Sequence, residues 1–165
     1  MKKVGVVGCG LMGSGIAQMS ALNGYATTVV EINDEILKRG MASIDEWLEK
    51  GKKRGKVTDE QIATVKKNLS ASTQLSALKD CDIVVEAVTE NTELKKKVFQ
   101  QLSDVVRADA ILATNTSSIS VTELATVVKN PERMVGMHFF NPVPIMKLVE
   151  IIKGLATSDA VTAAT

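Results

Sequence analysis

The residues Gly8-Cys9-Gly10-Leu11-Met12-Gly13 follow an apolar run, Val4-Gly5-Val6-Val7, and precede an Ala/Met/Leu-rich stretch. Their spacing is G-x-G-x-x-G. Gly8 permits a tight turn out of a strand. Gly10 has no Cβ to keep a pyrophosphate from the backbone, and Gly13 lets the next helix pack close to the sheet. A helix starting at Leu11 and Met12 aims free N–H groups and partial positive charge at a bound phosphate. A strand before and a helix after give this common pattern the context of a dinucleotide cradle. Glu31 lies 23 residues after Gly8, at the end of a second strand pattern, Thr27-Thr28-Val29-Val30. A carboxylate there can bond both ribose hydroxyls and would repel a 2′-phosphate, so NAD is favoured over NADP. The bland alternative is a glycine turn with no ligand. Cys9 reads as a small packed residue rather than a redox group.

A second set of residues could move a proton. His138 is the single histidine of the chain and ends an apolar run, Met134-Val135-Gly136-Met137. Ligands of open α/β sheets bind at that edge. Glu150 lies on the next strand pattern, and Pro142 and Pro144 shape the turn between them. A carboxylate beside an imidazole fixes its tautomer and favours its charged form. The pair is therefore a candidate general acid and base for an alcohol–ketone interconversion. Asn115-Thr116-Ser117-Ser118 follows another strand pattern and offers hydroxyls and an amide at the same edge. An N-cap for the next helix explains those four residues equally well.

These groups need a frame to hold them. The patterns predict a helix over 11–23 closed by Gly24, a strand over 27–31, and a helix from Asn33 or Asp34 to about residue 50. Thr58-Asp59-Glu60-Gln61 reads as a capped helix restart, and a short strand follows over 69–73. Strands over 82–87, 110–114 and 134–139 alternate with helices over 92–107 and 121–128. A last strand spans 147–153. This alternation predicts an α/β fold of Rossmann type, doubly wound, with a mostly parallel sheet. Residues 1–154 are expected to form that domain. Thr157-Ser158-Asp159 then signals an N-cap, but the sequence stops at Thr165 before the helix is expected to pack on anything. Residues 155–165 thus read as the start of a linker toward a further domain.

Composition narrows the classes. The chain has 165 residues, 45% apolar and 24% charged, the balance of a globular domain. A net charge of +1 and 3% aromatics give no sign of a nucleic-acid partner. No apolar run approaches the roughly 18 residues of a membrane span, so no membrane partner is expected. The two cysteines make no framework, and no targeting segment is visible, so the expected location is cytoplasmic. No metal site is expected.

The blocks Gly8–Gln18, Asn115-Thr116-Ser117-Ser118, His138-Phe139-Phe140-Asn141-Pro142 and Lys147-Leu148-Val149-Glu150 closely resemble the L-3-hydroxyacyl-CoA dehydrogenase family. The resemblance covers essentially the whole chain, and the His-Phe-Phe-Asn-Pro block is far more specific than the glycine turn. It implies an NAD-dependent oxidoreductase acting on (3S)-3-hydroxyacyl-CoA and 3-oxoacyl-CoA, of short chain such as 3-hydroxybutyryl-CoA. It implies that His138 exchanges the proton of the 3-hydroxyl, that Glu150 holds His138, and that Ser117 bonds the substrate oxygen. Glu90, Lys95, Ser117 and Asn141 match positions lining the family's cofactor site, and Glu31 would hold the adenosine ribose. Lys50 and Arg54, four residues apart, would meet the phosphates of coenzyme A, although Gly51 and Gly55 argue against a continuous helix there. The alternative is a solvated basic helix end.

The family also has a second, helical domain, absent from this chain, that closes the substrate site and forms a homodimer. This chain is therefore expected to bind NAD but to turn over weakly by itself. Two other functions fit the same motifs: a dehydrogenase of a free hydroxy acid or sugar acid, and a non-catalytic NAD-binding module.

Overall fold

The computed structural model describes residues 1–165. Seven strands form one sheet: β1 (Lys3–Val7), β2 (Ala26–Val30), β3 (Leu69–Ser72), β4 (Ile83–Glu86), β5 (Ile111–Thr114), β6 (Met134–Phe139) and β7 (Val149–Lys153). Their spatial order is β3-β2-β1-β4-β5-β6-β7. All neighbours are parallel except β6 and β7, which pair antiparallel. This is the expected doubly wound sheet, with the strand order reversing between β1 and β4. Such a reversal opens a crevice at the carboxyl ends of the strands.

The central strands are buried on both faces, as parallel strands covered by helices must be. Val4, Val6, Ile83, Val85, Ile111 and Ala113 face α1 (Leu11–Leu22), and Val161 of α6 (Asp159–Ala164) joins their cluster. On the opposite face Val7, Val84 and Leu112 meet Phe99 and Leu102 of α4 (Thr92–Val105) and Leu124 of α5 (Val121–Ala125). Thus α6 does pack, contrary to the sequence expectation. Its Val161 is buried against the β6–β7 side of the sheet, an anchor that a short apolar pattern does not reveal.

α2 (Asp34–Lys53) is longer than its composition suggests. Asn33 caps it, its Oδ1 accepting from the amides of Glu35 and Ile36 at 2.9 and 3.0 Å. Asp34 and Glu35 in the first turn, and Lys50, Lys52 and Lys53 in the last, match the helix dipole. The helix runs through Gly51, which the sequence read as a break. A Cβ there would stand 2.5 Å from Val57 Cγ2, so Gly51 lets Val57 pack on the helix end. Arg54 is the C-cap, and α3 (Asp59–Asn68) begins at the expected capping box of Thr58 and Gln61. Several helix ends fall short of expectation, at Val105 for α4 and Ala125 for α5. No helix is long and apolar enough to cross a membrane.

A contact absent from the sequence reading ties α2 to the glycine turn. A Cβ on Gly40 would meet the Cys9 carbonyl oxygen at 2.1 Å and the Cys9 Sγ at 2.3 Å. The helix therefore rests directly on the turn backbone. Gly40→Ala should destabilise the fold by about 1–3 kcal/mol through overpacking. Urea denaturation followed by circular dichroism measures this, and an unchanged midpoint would contradict the contact.

Candidate functional site

The glycine turn joins β1 to α1 at the point where strand order reverses. Gly8 adopts φ +99°, a left-handed conformation that a side chain would strain. Its Cβ would also lie 2.6 Å from the Ala87 carbonyl oxygen after β4. A Cβ on Gly13 would overlap the Gly8 carbonyl oxygen at 1.9 Å. Around Gly10 there is nothing within 4 Å. The turn is thus closed toward the protein and open outward above Gly10. Gly10 is also the N-cap of α1, with no side-chain cap bond and no acidic residue in the first turn. The helix terminus keeps its donors and its positive end for an outside anion.

A cleft of about 500 Å³ lies beside this turn. Gly8, Gly10 and Glu31 border it, with Ile32, Val88 and Leu94 among its apolar walls. Glu31 follows β2 directly, where its Oε2 accepts from the Cys9 amide at 3.2 Å. The carboxylate is thereby fixed at the cleft. These features fit a dinucleotide: free donors for phosphate, a carboxylate for a ribose, and apolar surface for a base. Ile32, Val88 and Leu94 were not anticipated, because exposed or half-buried apolar side chains carry no signature of their own.

At the other end of the edge, His138 on β6 faces Glu150 on β7 as a directly opposed pair. The His138 Nδ1 lies 2.8 Å from Glu150 Oε2. With the carboxylate ionised, Nδ1 donates and Nε2 keeps its lone pair for another partner. The imidazole is 19% exposed and the carboxylate 52%, so the pair stands half-open to solvent. The Phe140 ring sits 4.6 Å from the imidazole, centroid to centroid.

The segment after β5 is not the helix cap that one reading of the sequence offered. Asn115 Oδ1 accepts from the Phe139 amide at 2.9 Å, tying this segment to the end of β6. Thr116 Oγ1 accepts from the Ile119 amide at 3.0 Å and donates to Glu90 Oε1. The helix cap is Ser120, whose Oγ accepts from the Glu123 amide, so none of residues 115–118 caps α5. Ser117 is left exposed on the turn. Glu90 also accepts from Ser118 Oγ at 3.1 Å and lies 3.4 Å from Lys95 Nζ. Burial works to raise the Glu90 pKa, but the Thr116 bond, the Lys95 charge and the Ser118 bond outweigh it and hold it below its ordinary value.

Not every expected residue meets the cleft. Leu11 opens α1 but is 73% exposed, and Met12 packs against the core. Lys95 is 1% exposed, its Nζ 2.6 Å from Glu86 Oε1. Asn141 is exposed and borders a separate small cavity with Ser14 and Trp47. Lys50 pairs with Glu46 at 2.6 Å on the exposed face of α2, and Arg54 lies exposed one turn beyond. Glu86 went unremarked in the sequence, because a lone carboxylate in an apolar strand pattern says nothing of its partners. No group of three or more His, Cys, Asp or Glu side chains converges as a metal ion would require.

The sheet order and uncapped glycine turn define a dinucleotide-binding domain of doubly wound type. Residues 3–165 match the family described as 3-hydroxyacyl-CoA dehydrogenase, NAD binding domain, and the chain belongs to that family. The chain is 44% identical over 160 residues to a 3-hydroxybutyryl-CoA dehydrogenase of Bradyrhizobium diazoefficiens, covering 97% of this chain and 55% of that protein. It is 44% identical over 161 residues to a 3-hydroxyadipyl-CoA dehydrogenase of Escherichia coli, covering 98% of this chain and 34% of that one. The crystal structure of (S)-3-hydroxybutyryl-CoA dehydrogenase from Ralstonia eutropha superposes with a TM-score of 0.96 at 45% identity, over 99% of this chain and 58% of that chain. The chain thus spans little more than half the length of the first of these relatives.

The cysteine in the turn is chemically quiet. Burial, and then the Glu31 carboxylate, push the Cys9 thiol up to about 11. Burial, then Asp82, does the same for Cys81, also to about 11. At pH 8 both thiols are therefore protonated for the most part. In the folded protein both should resist a thiol-disulfide reagent at pH 8, and both should react once urea unfolds the chain. Fast reaction of Cys9 before unfolding would contradict this.

Proposed function

We propose that this chain is the cofactor half of an NAD-dependent dehydrogenase interconverting (3S)-3-hydroxyacyl-CoA and 3-oxoacyl-CoA, with 3-hydroxybutyryl-CoA as the short-chain substrate. The observation that carries the chemical role is the His138–Glu150 pair, 2.8 Å apart at the same sheet edge as the glycine turn. The names of the relatives support the substrate class.

Bound NAD supplies the acceptor for the hydride leaving C3 of the alcohol. His138 Nε2 takes the proton of the 3-hydroxyl as that C–H bond breaks, and the C–O bond becomes the ketone. In the reverse direction the imidazolium returns the proton to the oxygen. Glu150 orients the ring through Nδ1 and stabilises its positive charge. Ser117, on the turn after the neighbouring strand, is the donor assigned to the substrate oxygen. Glu31 binds the adenosine ribose, and Glu90 and Asn141, with the buried Lys95 behind Glu90, belong to the cofactor site. Lys50 and Arg54 attract the coenzyme A phosphates. On this reading residues 155–165 lead toward a helical domain that closes the substrate site and forms a homodimer.

The test is acetoacetyl-CoA reduction followed by NADH oxidation in the protein that carries this domain. His138→Ala should lower turnover by about 10²–10⁴-fold with NADH affinity unchanged. Unchanged turnover would leave a non-catalytic NAD-binding module as the better reading. A Lys50→Ala, Arg54→Ala double variant should raise KM for the thioester while leaving kcat near that of the parent. An unaltered KM would favour a free hydroxy acid as substrate.

A separate outcome concerns cofactor choice. Glu31→Ala should weaken NADH binding about 10-fold or more, the scale of a lost charged hydrogen bond, and relieve the discrimination against NADPH. Parallel fluorescence titrations with the two nucleotides decide this. An NADPH-to-NADH affinity ratio equal to that of the parent would remove Glu31 from the ribose site.

A further inference from the structure

Behind the cofactor cleft lies a closed ring of polar side chains. Glu86 ends β4 and is fully buried, at 0% exposure. Its Oε1 accepts from Lys95 Nζ at 2.6 Å and from the Val88 amide at 2.8 Å. Its Oε2 accepts from Thr114 Oγ1 at 2.7 Å. Thr114 Oγ1 in turn accepts from the Thr116 amide at 3.3 Å. Thr116 Oγ1 donates to Glu90, and Glu90 faces Lys95 Nζ, which closes the ring. Lys95 Nζ donates additionally to the Val88 carbonyl at 3.3 Å.

The ring joins three elements: the segment after β4, helix α4 and the turn after β5. The end of β4 and the start of that turn also share the backbone ladder, Glu86 opposite Thr114, with the Asn115 amide donating to the Glu86 carbonyl at 2.9 Å. Val88, a wall of the cleft, is held through both its amide and its carbonyl. Ser117 sits within the turn that Thr116 and Ser118 anchor to Glu90. Burying an ammonium with a carboxylate costs several kcal/mol of desolvation per ion, which their attraction does not regularly repay. An apolar pair would fill this buried position at no such cost. What the charges provide is direction, because each oxygen of Glu86 selects one partner.

We infer that Glu86 is a positioning residue of the site. Through Lys95 and Thr114 it sets the place of Glu90 and of the turn that carries Ser117. It touches neither cofactor nor substrate. Its effect on binding rests on the functional reading above, whereas its effect on the turn does not.

The experiment compares Glu86→Gln, Lys95→Met and the double variant Glu86→Gln/Lys95→Met with the parent chain. Each single change leaves a buried group unmatched and should lower Tm. The double change removes both charges with little change of volume and should restore most of the lost Tm. Amide hydrogen exchange is then read at residues 88–90 and 115–119, and NADH affinity by fluorescence. With Tm restored, the double variant should still exchange at these residues at least about 10-fold faster than the parent, and Glu86→Gln, with Lys95 intact, should bind NADH about 10-fold more weakly. Recovery of parental exchange in step with Tm would overturn the inference and leave Glu86 a stability residue. If the parent chain itself fails to bind NADH, the cofactor reading falls, yet exchange at 115–119 still decides the role of Glu86. Should Glu86→Gln fail to fold alone, the double variant and Lys95→Met carry the same comparison.

Discussion

Backbone meets backbone at the turn between β1 and α1, and the remaining architecture is arranged around that contact. Gly13 stands against the Gly8 carbonyl, Gly8 against Ala87, and Gly40 against the Cys9 carbonyl. Each of these approaches is closer than any Cβ permits. Together they bring the start of α1, the end of β4 and the middle of α2 onto one short loop. The loop is packed at Gly8 and Gly13 and open above Gly10, where a ligand can approach. Steric exclusion, together with the Gly8 amide bond to the Val30 carbonyl and the Cys9 amide bond to Glu31, sets the direction of the phosphate-binding terminus.

The charges along the sheet edge follow from this placement. The α1 terminus has neither a capping side chain nor an acidic first turn, so its dipole is left for a ligand. Glu31, after β2, accepts from the Cys9 amide, and Glu90, beyond β4, accepts from Ser118 Oγ, so each carboxylate is held by a bond from another segment. Farther along, the antiparallel β6–β7 pairing sets His138 opposite Glu150. A parallel partner would have come from the far side of the sheet and required a crossover connection. The single reversal of strand direction is what lets a short loop carry a carboxylate back beside the imidazole.

Rigidity is unevenly distributed in a way that suits this division of labour. The central strands pack between two apolar layers and fix the carboxyl edge. The side chains at the edge depend instead on polar bonds: Asn115 to Phe139, Thr116 to Glu90, and Glu86 to Lys95. Such bonds are directional and short in range, so they set orientation where the apolar core sets only position.

By itself the sequence determined the α/β alternation, the glycine turn, the carboxylate of Glu31 and the identity of the histidine and its glutamate. These are local: a strand period, a turn needing a residue without Cβ, a cap before a helix. Each signal lies within a few residues of its consequence. Gly51 misled because glycine weakens a helix on average, while here Val57 fills the space its missing Cβ leaves. Likewise α6 looked unpartnered because a six-residue helix with a single buried apolar side chain carries no periodic signal, although β6 and β7, against which Val161 packs, come just before it. Only the tertiary structure decided that Gly40 rests on Cys9, that Asn115 serves Phe139 rather than a helix cap, and that Glu86 and Lys95 face each other in the core. Those pairings depend on which elements become neighbours across the sheet, a relation that no local pattern encodes.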